Sequence, residues 1–375
     1  MSDNFNPQIV QSCAGWSSPV ARQAHNLKVV GSNPTPATKY QVNTVSYKAL
    51  RNTPEGFLFS CMPSVWFDEG LLERIRAHLE ASRGAFAANT ERARYADLKV
   101  FTEWCLLERR DVLPTRAQTV VAFIDAMSQS RAPATVRRYI TSIAWLHRAA
   151  GVANPCGEDE VRFALRRMHR KLGRRGNQKL GLSRDLVDRM LAASDHDTLK
   201  GLRDCALLSV AYDTLCRRSE LVLADVEHLT CSDDGSGSLY LPTCKTDQEG
   251  KGSFRYLAPD TMQWLMAYLK AAGHGEGPIF RAAGSGGRLS ERLAGETVAR
   301  IFKSMAKAAG IEATAISGHS TRIGKAQDCV AAGIGIGAIM RDGGWKSEAM
   351  VARYTEHLQV KQGASAILAA KQARL

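Results

Sequence analysis

The sequence predicts a mainly α protein: a helical domain followed by a larger, mostly helical domain that carries a small β-hairpin. Three observations predict it. Apolar residues recur at helical spacing in segment after segment from Trp66 to the C-terminus. One stretch only, "GSLYLPTCKTDQEGKGSFRYLAP", alternates, turns through Asp247 to Gly252 and returns. A chain of 375 residues exceeds one small domain, and a basic, Gly-punctuated run from Arg170 to Gly181 interrupts it.

Residues 1–61 lack sustained periodicity and are rich in Ser, Pro and Asn, so they are expected to build no packed core. Within them, Val30 to Thr35 can be encoded as GTA GGT TCG AAT CCT ACC. That is a stem, GTAGG with CCTAC, closing the loop TTCGAAT, and it looks like the T-arm of a transfer RNA gene. The expectation is an N-terminus read through the end of a tRNA gene, with Met62 as the working start.

The first helical domain is set at 62–171. "LLERIRAHLEASRG" opens it. "NTERARYADLKVFTEWCLLERR" starts at a cap, Asn89 or Thr90, and puts Tyr95, Leu98, Phe101, Trp104 and Cys105 on one face. "TRAQTVVAFIDAMSQS" follows. "APATVRRYITSIAWLHRAAG" turns Val136, Ile140, Ile143 and Leu146 inward, and "GEDEVRFALRRMHRKLG" is the fifth helix. Loops with Pro114, Pro133 and Pro155 separate them. The linker, 172–181, is either a solvated hinge or a strap along a phosphate backbone.

The second domain is set at 182–375. "SRDLVDRMLAAS" and "LKGLRDCALLSVAYDTL" are helices, and the next, "SELVLADVEHL", is capped by Ser219. After the hairpin come "PDTMQWLMAYLKAAG" and "GETVARIFKSMAKAAG". The tail "GASAILAAKQARL" is a short amphipathic helix that folds back as core or docks on a neighbouring subunit.

Composition narrows the function. A net charge of +13 suits a polyanionic partner. Nine scattered cysteines without a C-x-x-C pair argue against a disulfide framework or zinc site and for a reducing cytoplasm. The longest apolar stretch, "CVAAGIGIGAIM", is too short and Gly-rich to span a membrane and reads as a buried helix pair.

The chemistry gathers in the second domain. In "GHSTRIG", Ser317 is a cap, Gly318 opens a helix, and His319 and Arg322 share its first turn, where unpaired N–H groups and the helix dipole suit a phosphate. "RDGGWKSEAMVARYTEHL" adds a glycine pair, Trp345, a helix capped by Ser347, and Tyr354 upon it. Arg217 follows "AYDTLC", and Lys245 lies at the hairpin turn. Any one of these residues alone is ordinary core or surface; six residue types in this order are not.

In that order the set resembles the tyrosine recombinase (phage integrase) family, most closely its Cre-like members, which carry Trp at the place of Trp345. The matching words are "AYDTLCR", "CKT", "GHSTRIG" and "GGW…ARY", and the similarity runs from about Trp66 to the end. Arg218, beside the matched Arg217, departs from the pattern; register selects Arg217. The resemblance implies a SAM-like core-binding domain and a catalytic domain. It implies that Tyr354 attacks a DNA phosphodiester, leaving a 3′-phosphotyrosine and a free 5′-hydroxyl, with no metal, ATP or other cofactor. A phenol of pKa about 10 is only about a thousandth ionised at neutral pH, so it needs help. His319 would assist as base or phosphate donor, Arg217 and Arg322 would hold the non-bridging oxygens, Lys245 would protonate the leaving oxygen, and Trp345 would donate an indole N–H. Glu220 orients His319 or an arginine, or is plain helix surface.

By the same register, Thr90, Arg92 and Lys99 on one helix and Thr135 and Arg138 on another face DNA, unless these are solvated faces. The implied assembly is a homotetramer on double-stranded recombination sites, with no membrane partner, a nucleoid-associated cytoplasmic location and an accessory directionality factor. Two rivals remain: a type IB topoisomerase-like enzyme and an inactive DNA-binding relic.

Overall fold

The computed structural model describes residues 69–176, 178–242, 252–283, 289–360 and 363–374. The N-terminal extension, Met62 to Asp68 and the hairpin turn with Lys245 lie outside the described residues. The chain divides into two compact units between Arg174 and Arg175.

Among the described residues the first unit has five α-helices: α1 (Glu69–Ala81), α2 (Ala88–Leu107), α3 (Ala117–Ser128), α4 (Pro133–Ala149) and α5 (Asp159–Leu172). Their apolar stripes meet in one core in which Ile75, Phe101, Phe123, Ile143 and Leu146 lose all solvent contact. Tyr95, Leu98 and Cys105 are buried with Phe101 as the spacing requires, and Trp104 packs at the rim, its ring edge-on to Phe123 at 5.2 Å. The cap of α2 differs from expectation. The helix begins at Ala88 behind Ala87, and the Asn89 side-chain amide oxygen instead accepts from the Arg92 guanidinium within the first turn. Pro133 opens α4 rather than sitting in a loop, since a first-turn residue needs no N–H.

The second unit runs α6 (Arg184–Ala192), α7 (Leu199–Thr214), α8 (Arg218–Val222), β1 (Leu229–Cys231), β2 (Gly237–Leu241), β3 (Ser253–Leu257), α9 (Pro259–Ala272), β4 (Arg281–Ala283), β5 (Leu289–Arg292), α10 (Gly295–Ala308), α11 (Ser320–Ala331), α12 (Ile336–Gly343), α13 (Glu348–Gln359) and α14 (Ala364–Lys371). Helix α7 is the spine, buried along nearly its whole length from Cys205 to Tyr212. The predicted hairpin is β2 and β3, antiparallel with Leu239 opposite Arg255, and Leu239, Leu241 and Leu257 point into the core. The short strands β1, β4 and β5 were not expected; three or four residues are too few for alternation to register.

Two helix starts are also corrected. Arg217, not Ser219, is the N-cap of α8, and α11 begins at Ser320 rather than Gly318. Ser347 caps α13 as expected, its hydroxyl accepting from the Ala349 N–H. The Gly-rich stretch forms the end of α11, a turn with Gly333 at φ +75°, and the start of α12. No helix among the described residues is long and apolar enough to cross a membrane. The tail forms α14, in which no residue is buried, so the fold-back alternative is not the arrangement observed.

Candidate active site

The turn after α7 delivers the first arginine. Leu215 takes a left-handed backbone, φ +52°, unusual for a branched residue, and is only 2% exposed. Its side chain is held in a small core with Val330, Ile339, Trp345 and Val351, and that burial stabilises the strained turn. The chain then reverses, and Arg217 becomes the extended N-cap of α8. Glu220, one turn on, reaches back. It accepts from the Arg217 backbone N–H at 2.8 Å and from the Arg217 guanidinium at 2.6 Å. Both side chains are largely withdrawn from water, so the carboxylate aims the guanidinium as well as capping the helix. Of the readings open for Glu220, it is the arginine that the carboxylate grips. Arg218 is exposed, and its stem packs on Gly318, where an added Cβ would lie 3.3 Å from its Cδ.

The "GHSTRIG" word is a helix N-terminus closed by hydroxyls. The Ser317 hydroxyl accepts from the His319 N–H at 3.2 Å, and the buried Ser320 hydroxyl accepts from the Ser317 N–H at 2.9 Å. His319 is therefore the N-cap of α11 and Arg322 lies in its first turn. Gly324 ends the word for a steric reason: a Cβ there would sit 1.8 Å from the Leu182 carbonyl oxygen.

Arg322 is 3% exposed and donates to the Gly343 carbonyl at 2.9 Å, while its guanidinium lies 4.4 Å from the centre of the Trp345 ring. That carbonyl belongs to the glycine pair. A Cβ on Gly343 would meet the Trp345 ring at 2.1 Å, and Gly344 has φ +61°, so each glycine has its own cause. Trp345 is buried and meets the Tyr354 ring edge-on at 6.0 Å. Arg322, Trp345 and Tyr354 thus form one stack between α11 and α13.

The site is short of negative charge. Burial, then the charge of Arg217, pulls the Arg322 pKa down to about 10, against the opposing pull of Glu220 and the Tyr354 phenol. Burial, then Arg322, Arg218 and Arg217, lowers His319 below the ordinary histidine value, with Glu220 alone opposing. Among the described residues, Arg217, Arg322, exposed Arg218 and the His319 imidazole therefore face one carboxylate, Glu220, and an anion would relieve the repulsion.

The structure brings Arg217, His319, Arg322, Trp345 and Tyr354 together in the second unit; Lys245 is outside the described residues. In the first unit, Thr90, Arg92 and Lys99 lie on α2 and Thr135 and Arg138 on α4; Arg92, Thr90, Lys99 and Arg138 are exposed. Arg138 also makes a two-pronged contact with Asp97 of α2, at 2.7 and 2.9 Å. Asp97 is 1% exposed and also accepts from Ser142. Sequence reading passed over Asp97; a carboxylate four residues before Phe101, and so beside the apolar face, was the available signal. It also passed over Gln178 and Gln327, whose amides both donate to the Tyr354 carbonyl, and no local pattern marks those.

Residues 181–360 match the phage integrase family. An integrase/recombinase XerD homolog of Selenomonas ruminantium is 31% identical over 299 residues, spanning 77% of this chain and 86% of that one. Recombinase Cre of Escherichia phage P1 is 26% identical over 301 residues, spanning 75% and 88%. Among solved structures, XerH site-specific recombinase bound to a palindromic difH substrate shares the fold with a TM-score of 0.56 at 12% identity, covering 83% of this chain and 94% of that one. A lambda integrase dimer bound to a COC′ core site gives 0.53 at 17% identity, covering 77% and 95%.

Proposed function

This chain belongs to the phage integrase family of tyrosine recombinases, enzymes that break and rejoin DNA, and from that premise we propose that Tyr354 is its nucleophile in site-specific recombination. The observation that carries the reading is the cationic cluster of Arg217, Arg322 and His319, short of negative charge, beside the Tyr354 phenol. A scissile phosphate supplies the missing negative charge.

Tyr354 attacks phosphorus, the phosphorus–5′-oxygen bond breaks, and a 3′-phosphotyrosine forms. The ester keeps the energy of the broken bond, so the reverse attack by a 5′-hydroxyl reseals a strand. His319, its pKa lowered by burial and then by its cationic neighbours, accepts the phenolic proton or donates to a phosphate oxygen. Arg217, aimed by Glu220, and Arg322, anchored on Gly343, hold the non-bridging oxygens as charge grows on them. Lys245 returns a proton to the leaving 5′-oxygen. Trp345 packs the stack and offers its indole N–H.

The first unit is the core-binding domain in this reading. Thr90, Arg92, Lys99, Thr135 and Arg138 contact DNA, mainly at phosphates. Helix α14, with Ile367 and Leu368 each 51% exposed, docks on the next subunit of a tetramer assembled on two duplexes. Because Val30 to Thr35 can be encoded as the T-arm of a tRNA gene, the enzyme belongs in this reading to a mobile element inserted at such a gene, with a directionality factor choosing between insertion and excision. Sequencing of the DNA around the gene decides that point: no T-arm beneath those codons ends it.

The chemistry is tested with a plasmid carrying the DNA that flanks the gene. Quenched in denaturant, wild type gives plasmid covalently joined to protein. Tyr354→Phe gives none, yet retains the plasmid in a gel-shift assay. Adduct from the phenylalanine variant would overturn the assignment.

A further inference from the structure

The amides of Gln178 and Gln327 converge on one acceptor, the carbonyl oxygen of Tyr354, at 3.3 and 3.0 Å. Gln327 rises from α11, the helix that carries Arg322. Gln178 comes from an extended strap that opens the second unit. Neighbouring contacts follow the same line. Arg175 pairs with Glu356, Arg353 donates to the Gly176 carbonyl at 3.4 Å, and Lys179 donates to the Thr314 carbonyl at 2.9 Å. The Leu180 and Leu182 N–H groups donate to the carbonyls of Ala315 and Ser320, at 3.0 and 2.8 Å.

Two glycines allow the strap to lie this close. A Cβ on Gly181 would be 2.3 Å from the Gln327 side-chain oxygen and 3.0 Å from the Gly324 nitrogen; on Gly324 it would strike Leu182. Gln327 is thus wedged, its oxygen beneath the strap and its nitrogen against the tyrosine helix. Among the described side chains of α13, Val351 and Thr355 alone are fully buried, and Tyr354 and Leu358 pack on the small core with Trp345. A carbonyl and the Cα of its own residue are rigidly linked, so gripping Tyr354 at its carbonyl fixes the origin of the phenol.

Resting on the assignment of Tyr354 as nucleophile, we infer that Gln178 and Gln327 are positioning residues that hold the Tyr354 segment of α13 at attack distance from the phosphate bound by Arg322. They act through the Tyr354 backbone and not on the reacting atoms. Their contribution is to the rate of cleavage and not to affinity.

The experiment uses the full chain and the same flanking-DNA plasmid, with adduct formation followed in time. Gln327→Met and Gln178→Met keep side-chain length and remove the donor; Gln327→Lys keeps a donor. Losing one hydrogen bond slows adduct formation about fivefold, and the double variant about a hundredfold, as the phenol drifts by an ångström. Plasmid affinity stays within twofold, and Gln327→Lys recovers to within threefold of wild type. A double variant as fast as wild type would overturn the inference. So would a rate loss matched by an equal loss of affinity, or a lysine variant as slow as methionine. If the double variant unfolds, Gln178→Met alone, on an exposed strap residue, carries the test on the same criteria. Absence of adduct from wild type overturns the Tyr354 assignment itself, and this inference with it.

Discussion

Gly343→Ala is the sharpest perturbation, because two effects oppose each other in sign. Gly343 ends α12 with an ordinary negative φ, so a Cβ brings no backbone strain. Helix propensity and unfolded-state entropy alone would make alanine stabilising by about 0.4–1 kcal/mol. The structure predicts the reverse. The new Cβ would fall 2.1 and 2.3 Å from two atoms of the Trp345 ring. The indole must retreat by about 1.4 Å to reach a carbon–carbon contact of about 3.5 Å. Overpacking of this kind costs about 1–3 kcal/mol, and each kcal/mol lowers Tm by about 2–4 °C in a unit of this size. The indole cannot retreat without disturbing Arg322 on its face and Tyr354 at its edge. Misplacement by an ångström costs about a hundredfold in rate. The assay is time-resolved adduct formation beside a thermal melt, in a double-mutant cycle with Trp345→Ala. If the alanine acts through the indole, it adds almost nothing once the indole is gone. Full additivity, or a Gly343→Ala protein as stable and fast as wild type, would refute the reasoning.

Three further outcomes are expected. Glu220→Ala leaves the largely buried Arg217 guanidinium unpaired and should cost about 3 kcal/mol in denaturant unfolding, with a fall of about a hundredfold in adduct rate; an unchanged melt would contradict the pairing. His319 has its pKa lowered in the free protein by burial and by Arg322, Arg218 and Arg217, so the acid limb of cleavage at limiting DNA should fall below about pH 6.5. Because the unfolded chain takes up that proton first, the stability this histidine contributes is complete above about pH 6.5 and declines as pH falls below it; an acid limb at or above 6.5 would count against a neutral imidazole. Arg138→Ala strands the Asp97 carboxylate with Ser142 as its remaining side-chain partner and should destabilise the first unit by about 1–3 kcal/mol as well as weakening DNA binding, whereas exposed Arg92→Ala should weaken binding alone; unfolding and gel-shift titrations on both variants separate the two effects.

The sequence by itself determined most of the helices, the hairpin strands and the words of the site, but not the stretch "SELVLADVEHL", which is α-helical only to Val222 and enters β1 at Leu229. Helices α7, α9 and α10 start where their periodicity says, because a helix is a local object written in residues three and four apart. "GHSTRIG" and "GGW" were legible as words, since a glycine pair before tryptophan or a histidine three before arginine is local too. Caps were less legible. The sequence offers Asn89 or Thr90 for α2 and Ser317 for α11, whereas Ala87 and His319 occupy the N-cap positions. Only the tertiary structure set Arg217 against Arg322, gave Glu220 its guanidinium and wedged Gln327 between the strap and Tyr354. Apart from the Glu220–Arg217 pair, which lies within one helical turn, those contacts join segments far apart along the chain. Their geometry follows from how whole helices pack, and no period within one segment encodes the distance to another.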